Sequence, residues 1–255
     1  MPVVVLVLAA IGLLFLAVPI LGLLLRAPWT RMPELLTAPE SLLALRLSLV
    51  TSLAATAICI VLGVPIAWAL ARVRHATWIR AIVLLPLVLP PVVGGVALLI
   101  AFGRRGIIGG PIYDWTGIQF PFTTWGVIIA EAFVAMPFLI ITVEAALRGL
   151  QPKFEEAAAV MGASRWVIMR RVTLPMVLPS LIAGAVLCWA RALGEFGATV
   201  TFAGNFPGVT QTLPLAIYSA LETNRDAAIA LSVVLLLVCA AVLIALRDRY
   251  FRRLS

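Results

Sequence analysis

Long stretches of apolar residues, interrupted by short polar segments, dominate this chain. A helix needs about 20 mostly apolar residues to cross the hydrocarbon core of a bilayer. Strands of a membrane barrel would alternate at every second residue, whereas these apolar runs are continuous. The pattern therefore predicts one all-α integral membrane domain over residues 1–255. Its six transmembrane helices are predicted at about 3–25, 47–71, 81–103, 124–147, 175–200 and 227–246.

Composition excludes a soluble protein. Hydrophobic residues make up 63% of the chain and charged residues 12%, whereas a soluble domain has about 45–50% and about 25%. A soluble or disordered chain needs more polar residues than this. The three cysteines, Cys59, Cys188 and Cys239, lie far apart within apolar runs, so neither a metal site nor a disulfide framework is predicted.

The basic residues give an orientation. The second and fourth loops together with the C-terminal segment contain twelve Lys and Arg residues, and the first, third and fifth loops contain six. Because basic loops stay in the cytoplasm, both termini are predicted to be cytoplasmic. The first span gives a local conflict, since Arg26 and Arg31 follow it and no basic residue precedes it.

The loop between the fourth and fifth spans reads as helical. Glu155 and Glu156 fall in a first turn, where the helix dipole favours acids, and an apolar face follows them. Gly162 is predicted to end the helix, and Ser164 to cap a second short one. We name residues 152–165 the elbow. Two functions stay open from the pattern: docking into a groove on a partner protein, or lying flat on the membrane surface.

Arg191 is a charged residue within a predicted span. Such a residue is costly in a bilayer and indicates a functional site with a partner. Glu195 follows one helical turn later, and Glu131 is predicted at a similar depth in the fourth span. We expect both glutamates to pair with Arg191. The cluster is either part of a translocation pathway or an intramembrane ion pair that locks two spans together.

No nucleotide-binding motif is present in the sequence. A phosphate-binding loop of the Walker type needs Gly-Lys followed by Ser or Thr, and the one lysine, Lys153, lies between Pro152 and Phe154. No catalytic residue and no bound cofactor are predicted for this chain.

The elbow carries a recognisable motif. Glu156-Ala157-Ala158 is followed by Gly162 and, after nine intervening residues, by Val172-x-Leu174-Pro175. This resembles the EAA signature of permease subunits of type I ATP-binding-cassette (ABC) importers, which usually have isoleucine at the position of Val172. The resemblance implies the type I permease fold, with the elbow as a coupling helix that inserts into a separate ATPase. Glu156, Ala157, Ala158 and Gly162 would carry that coupling.

A second motif bears on the substrate. The segment Arg191-Ala-Leu-Gly-Glu-Phe-Gly-Ala-Thr199, together with residues 203–218, resembles permeases of the molybdate or tungstate group. Sulfate and thiosulfate permeases share the first part, so a sulfate importer is the alternative.

The resemblance also implies partners and a location. These are a second copy of the chain, two ATPase subunits that bind ATP and Mg²⁺, an extracytoplasmic binding protein and membrane lipid, without nucleic acid, in a bacterial or archaeal cytoplasmic membrane. A transporter driven by an ion gradient is the alternative of a different class. It would predict broken spans and an inverted repeat, and neither is evident in the sequence.

Overall fold

The computed structural model describes residues 2–73 and 76–251, and over these ranges the secondary structure is helical without strands. Three basic residues behind the predicted orientation, Arg74, Arg252 and Arg253, lie outside the described residues. The helices, in chain order, are α1 Val3–Leu25, α2 Met32–Thr37, α3 Pro39–Arg72, α4 Thr77–Val88, α5 Pro91–Phe102, α6 Gly109–Thr116, α7 Thr124–Arg148, α8 Lys153–Val160, α9 Arg165–Ile168, α10 Leu174–Leu193, α11 Gly197–Phe202, α12 Leu213–Thr223 and α13 Arg225–Phe251.

Five helical segments are long and apolar enough to cross a membrane, and the bent pair α4–α5 makes a sixth. The five are α1, α3, α7, the continuous segment Arg165–Leu193 and α13. The elbow lies between α7 and α10. The prediction of an all-α membrane protein with a helical elbow between its fourth and fifth spans is therefore confirmed.

Helices α3, α7 and α10 form the centre of the bundle. They approach closely because small residues line their contacts. A Cβ placed on Gly63 of α3 would lie 3.3 Å from the side chains of Leu139 and Ile140 on α7. A Cβ on Gly184 of α10 would lie 3.1 Å from Thr142 of α7. Little space is left at either contact for a larger side chain.

The third span differs from the predicted continuous helix over 81–103. It consists of α4 and α5, whose axes are bent by 117° at a short break. Leu89 and Pro90 in the break are extended. Proline lacks the N–H that continues a helix and disfavours helical backbone in the residue before it, so Pro90 and Pro91 together end α4 and start α5. The chain thus has a broken span, whose position follows from its prolines and whose sharp bend does not.

The fifth span also differs from its predicted bounds of 175–200. Its helical segment begins at Arg165, passes through a π-helical turn at Met169–Thr173 and ends at Leu193. The separate helix α11 begins at Gly197. Gly194 follows the end of α10, and the carboxylate of Glu195 accepts the backbone N–H of Ala198 in the first turn of α11.

Helix α1 has a different environment from the other long helices. None of its 23 residues is buried against the rest of the chain. A helix that is apolar all round must be covered by lipid or by another protein in a membrane. Its surface is thus available to a neighbouring molecule.

Candidate functional site

Within the elbow, α8 ends in a defined turn. The N–H of Ala163 donates to the carbonyl of Ala158 (3.1 Å), and the N–H of Gly162 donates to Ala159 (3.0 Å). This pair of bonds is the Schellman motif, which requires a left-handed residue after the helix. Gly162 supplies it with φ +80°. The glycine therefore closes α8 as the sequence predicts.

A second helix follows directly. The Ser164 hydroxyl accepts the N–H of Val167 (3.4 Å) and caps α9. From α9 the chain continues through the π-helical turn into α10 without a break. Turns of π-helix are frequent at functional sites. The junction between the elbow and the fifth span is therefore a candidate functional position. The end of the elbow and α10 therefore belong to one continuous helical segment.

The four residues of the predicted coupling motif face in different directions. Glu156, Ala157 and Gly162 are exposed, whereas Ala158 is buried. Ala158 is therefore covered by other residues of this chain. The tip of the elbow also exposes large apolar side chains: Val160 is 88% and Met161 81% exposed. An exposed apolar tip is typical of a surface that a partner covers.

The elbow is attached to the bundle by a clamp that sequence analysis missed. We name Arg72, Glu155 and Thr173 the clamp. Arg72 at the end of α3 donates to both oxygens of Glu155 (2.6 and 2.8 Å), and the Thr173 hydroxyl donates to Oε1 (2.7 Å). The hydrogen bond from Arg72 holds the pKa of Glu155 below its ordinary value of 4.5. Arg72 and Glu155 are 83 positions apart, so only the fold brings this pair together.

A cavity of about 660 Å³ lies beside the clamp. Trp68 of α3, Ala159 of α8 and Met169 of the π-helical turn are among the residues that line it. The elbow is therefore separated from the bundle over part of its length. The clamp and the continuous helix into α10 connect the elbow to the bundle.

The second candidate site is an ion pair near the other end of α10. Arg191 Nη1 lies 2.7 Å from Glu195 Oε2. Glu195 is 1% exposed, and its other oxygen accepts the N–H of Ala198 (2.8 Å). The carboxylate thus holds Arg191 and caps α11 at the same time. Arg191 keeps part of its side chain accessible, at 29%.

Glu131 does not pair with Arg191, contrary to our expectation. Its Oε1 accepts the hydroxyl of Thr51 on α3 (2.9 Å), and its Oε2 is buried without a hydrogen-bond partner among the described residues. The Thr51–Glu131 hydrogen bond links α3 to α7. Glu131 and Arg191 have similar predicted depths in the membrane, but depth alone does not establish a contact. The face of α7 that carries Glu131 also decides which residues it meets.

Arg191 lines a cavity of about 130 Å³ at the break between α4 and α5. Pro86, Pro91 and Gly94 line it from the broken span, and Phe133 from α7. The volume exceeds the roughly 30 Å³ that one water molecule occupies. A small anion next to Arg191 would therefore meet a cation, proline rings and an aromatic wall.

Fold and site together define a polytopic membrane subunit with a protruding helical elbow. The chain matches the family described as binding-protein-dependent transport system inner membrane component over residues 59–255. It belongs to this family, whose members work in transport systems with a binding protein. The membrane subunit is thus the permease of a binding-protein-dependent transport system.

Two curated relatives cover most of the chain. The molybdenum transport system permease protein ModB of Mycobacterium tuberculosis is 47% identical over 94% of this chain and 92% of its own length. The probable sulfate transport system permease protein cysT of Zygnema circumcarinatum is 35% identical over 96% of this chain and 86% of its own length.

A solved structure shares the fold. A bacterial ABC transporter involved in the import of the acidic polysaccharide alginate superimposes with a TM-score of 0.77, at 20% identity, over 99% of this chain and 95% of that one. The type I ABC importer permease fold implied by the motif in the elbow is therefore confirmed.

Proposed function

We propose that this chain is the permease subunit of an ABC importer for molybdate. The observation that carries the substrate is the 47% identity to a molybdenum permease over nearly the full length, against 35% to a sulfate permease. Tungstate, a tetrahedral dianion of the same shape, is expected to follow the same path. Sulfate is the second candidate, because its permease relative also covers most of the chain.

The energy source is a separate ATPase that docks on the elbow. The sequence has no Walker A motif, so ATP and Mg²⁺ would bind to that partner. Support comes from the exposed Glu156 and Ala157 and from the apolar tip at Val160 and Met161. Closure of the ATPase would push the elbow, and the continuous helix into α10 would carry the movement to Arg191.

A pair of permease chains is the proposed assembly. Each chain presents one elbow, and the family resemblance implies two ATPase subunits for two elbows. The exposure of α1 along its whole length supports the pair, because a second chain would cover part of this apolar surface. An external binding protein would deliver the anion at the end of the bundle opposite the elbow.

In this assembly Arg191 and the neighbouring break of the third span would face the translocated anion. A dianion is attracted by the guanidinium, while the buried Glu195 limits how strongly it is held. A permease requires weak binding, since a tightly bound anion would not leave. The elbow end of the bundle, rich in arginine, is proposed to be cytoplasmic, together with both termini.

The experiment is reconstitution of the complete importer in proteoliposomes. ATP hydrolysis and uptake are measured with binding protein loaded with molybdate, tungstate or sulfate. We expect molybdate and tungstate to stimulate hydrolysis and to accumulate inside. Stimulation by sulfate alone would replace the proposed substrate, and hydrolysis without accumulation of any of these anions would contradict the function.

A further inference from the structure

Two arginines at the elbow end of the bundle share the same two acceptors. Arg80 of α4 donates to Glu144 Oε1 (2.8 Å) and to the carbonyl of Leu70 (2.9 Å). Arg148 at the end of α7 donates to the same carboxylate oxygen (2.9 Å) and the same carbonyl (3.0 Å). We name Arg80, Glu144 and Arg148 the arginine pocket. It joins the ends of α3, α4 and α7.

The pocket has an excess of positive charge. Two guanidinium groups face one carboxylate, so one positive charge is left without a counter-charge inside it. Each guanidinium also offers several more N–H donors than the two that it uses here. Arg148 is nearly half exposed, at 47%, and Arg80 at 28%. Donors and charge are therefore available to an external anion.

The position of Arg80 is unfavourable for a purely structural cation. It lies in the first turn of α4, where the helix dipole disfavours positive charge. Arg148 lies in the last turn of α7, where the dipole favours it. Two cations held side by side around one carboxylate also repel each other. An anion on the pocket would relieve both costs.

The pocket opens into a cavity of about 370 Å³ with an apolar wall. Val83 and Leu84 of α4 and Ile141 of α7 form that wall. Leu84 and Ile141 are exposed, as expected of side chains that face lipid tails. The site is thus cationic at the end of the helices and apolar towards the middle of the span, which matches the two parts of a phospholipid.

We propose that the arginine pocket binds the phosphate of an anionic phospholipid. Guanidinium groups recognise phosphate oxygens through paired N–H donors, and basic pockets between membrane helices bind lipid head groups. The acyl chain lies along Val83, Leu84 and Ile141. The bound lipid would hold the ends of α3, α4 and α7 together next to the elbow.

The test is lipid binding by the purified full-length chain. Native mass spectrometry counts bound phosphatidylglycerol against phosphatidylcholine at equal concentrations. A second arm measures the shift in Tm caused by inorganic phosphate alone, which distinguishes a free anion from a lipid head group. Both readouts are independent of transport, so the outcome does not depend on which oxyanion the importer carries.

Three variants give opposite expectations. Arg80→Gln and Arg148→Gln should each weaken phosphatidylglycerol binding about fivefold, since one arginine near an anionic head group is worth about that factor. Glu144→Gln should strengthen binding, because it removes the competing carboxylate. Arg105→Gln, an exposed arginine outside the pocket, serves as the control and should change nothing.

Several outcomes would overturn the proposal. Equal retention of the two lipids would do so, as would weaker phosphatidylglycerol binding by the Glu144→Gln variant. A Tm shift by inorganic phosphate as large as that by phosphatidylglycerol would replace the lipid by a free anion. If the Gln variants fail to fold, the Arg80→Lys/Arg148→Lys variant keeps the charge but loses the paired donors. It should bind phosphatidylglycerol more weakly than the wild type, and unchanged binding by the folded Lys variant would contradict the proposed recognition by the guanidinium groups.

Discussion

Arg191 and Glu195 depend on each other because Glu195 is buried and the guanidinium is its counter-charge. Removing Arg191 alone would leave an unpaired buried carboxylate, at a cost of about 3–5 kcal/mol. A loss of uptake in Arg191→Ala could then reflect misfolding. The neutral pair Arg191→Gln/Glu195→Gln avoids this problem because it leaves no buried charge unpaired, and glutamine at position 195 keeps the size of the native glutamate.

We expect the Arg191→Gln/Glu195→Gln variant to fold and to lose uptake. The amide oxygen introduced at position 195 still accepts the N–H of Ala198, so the start of α11 is preserved. The cation near the cavity is gone, and the anion has no attraction there. Uptake of labelled molybdate and the Tm check the two halves of this prediction. Normal uptake would mean that the ion pair only locks the helices together.

Gly162 is a second residue whose role follows from its backbone. No atom lies within 4 Å of a Cβ placed there, so alanine causes no clash. It must, however, adopt φ +80°, which costs about 1–2 kcal/mol. Gly162→Ala should fray the end of α8 and accelerate hydrogen exchange over 158–163. Gly12→Ala in α1, also without a clash, is the control, and equal exchange in both variants would contradict the prediction.

At the scale of elements, the clamp decides how firmly the elbow is held. Glu155 and Glu156 are neighbours of the same type with different environments, since Glu155 bonds to Arg72 while Glu156 is exposed. Glu155→Gln should accelerate hydrogen exchange of α8 in the isolated permease. Glu156→Gln should leave that exchange unchanged and weaken association with the ATPase. Identical effects of the two variants would contradict this division.

The clamp also predicts a pH dependence. Because Arg72 lowers the pKa of Glu155 below 4.5, the ion pair stabilises the elbow above that pH and loses its effect as the pH falls through the lowered value. The difference in Tm between the wild type and Glu155→Gln should be constant from pH 6 to 8 and shrink below about pH 4.5. A difference that shrinks already near pH 6 would contradict the assignment.

The elements differ in how well the sequence predicted them. Long, mostly apolar runs sufficed for α1, α3, α7 and α13, because a bilayer requires length and apolarity and little else. The 117° bend between α4 and α5 could not be predicted in size, because hydropathy continues across Pro90 and a proline indicates a kink without fixing its angle. The division of the fifth span into α10 and α11 was missed because apolar residues continue across it, while the hydrogen bond from Ala198 to Glu195 at the start of α11 is visible only in the fold.

For the whole molecule, the sequence predicted the class from the elbow and left the contacts open. Gly162 and Ser164 act through local backbone rules, so their roles could be predicted. The clamp and the Thr51–Glu131 bond join residues more than 70 positions apart, except for Thr173 on Glu155. Pairs of this kind become visible only once α3, α7 and α10 are packed together.

The most direct measurement of the central proposal is cross-linking from the tip of the elbow. Cys59 and Cys188 are buried and Cys239 is half-buried, so a thiol at Val160 would be the most accessible one of the described residues. Leu25, exposed to a similar degree at the end of α1, is the control position. The assembled importer is treated with a short cross-linker that joins a maleimide to a photoreactive group. We expect Val160→Cys to cross-link to the ATPase and Leu25→Cys not to cross-link to it. If the Val160→Cys chain forms no cross-link to the ATPase, the proposal that the ATPase docks on the elbow is contradicted.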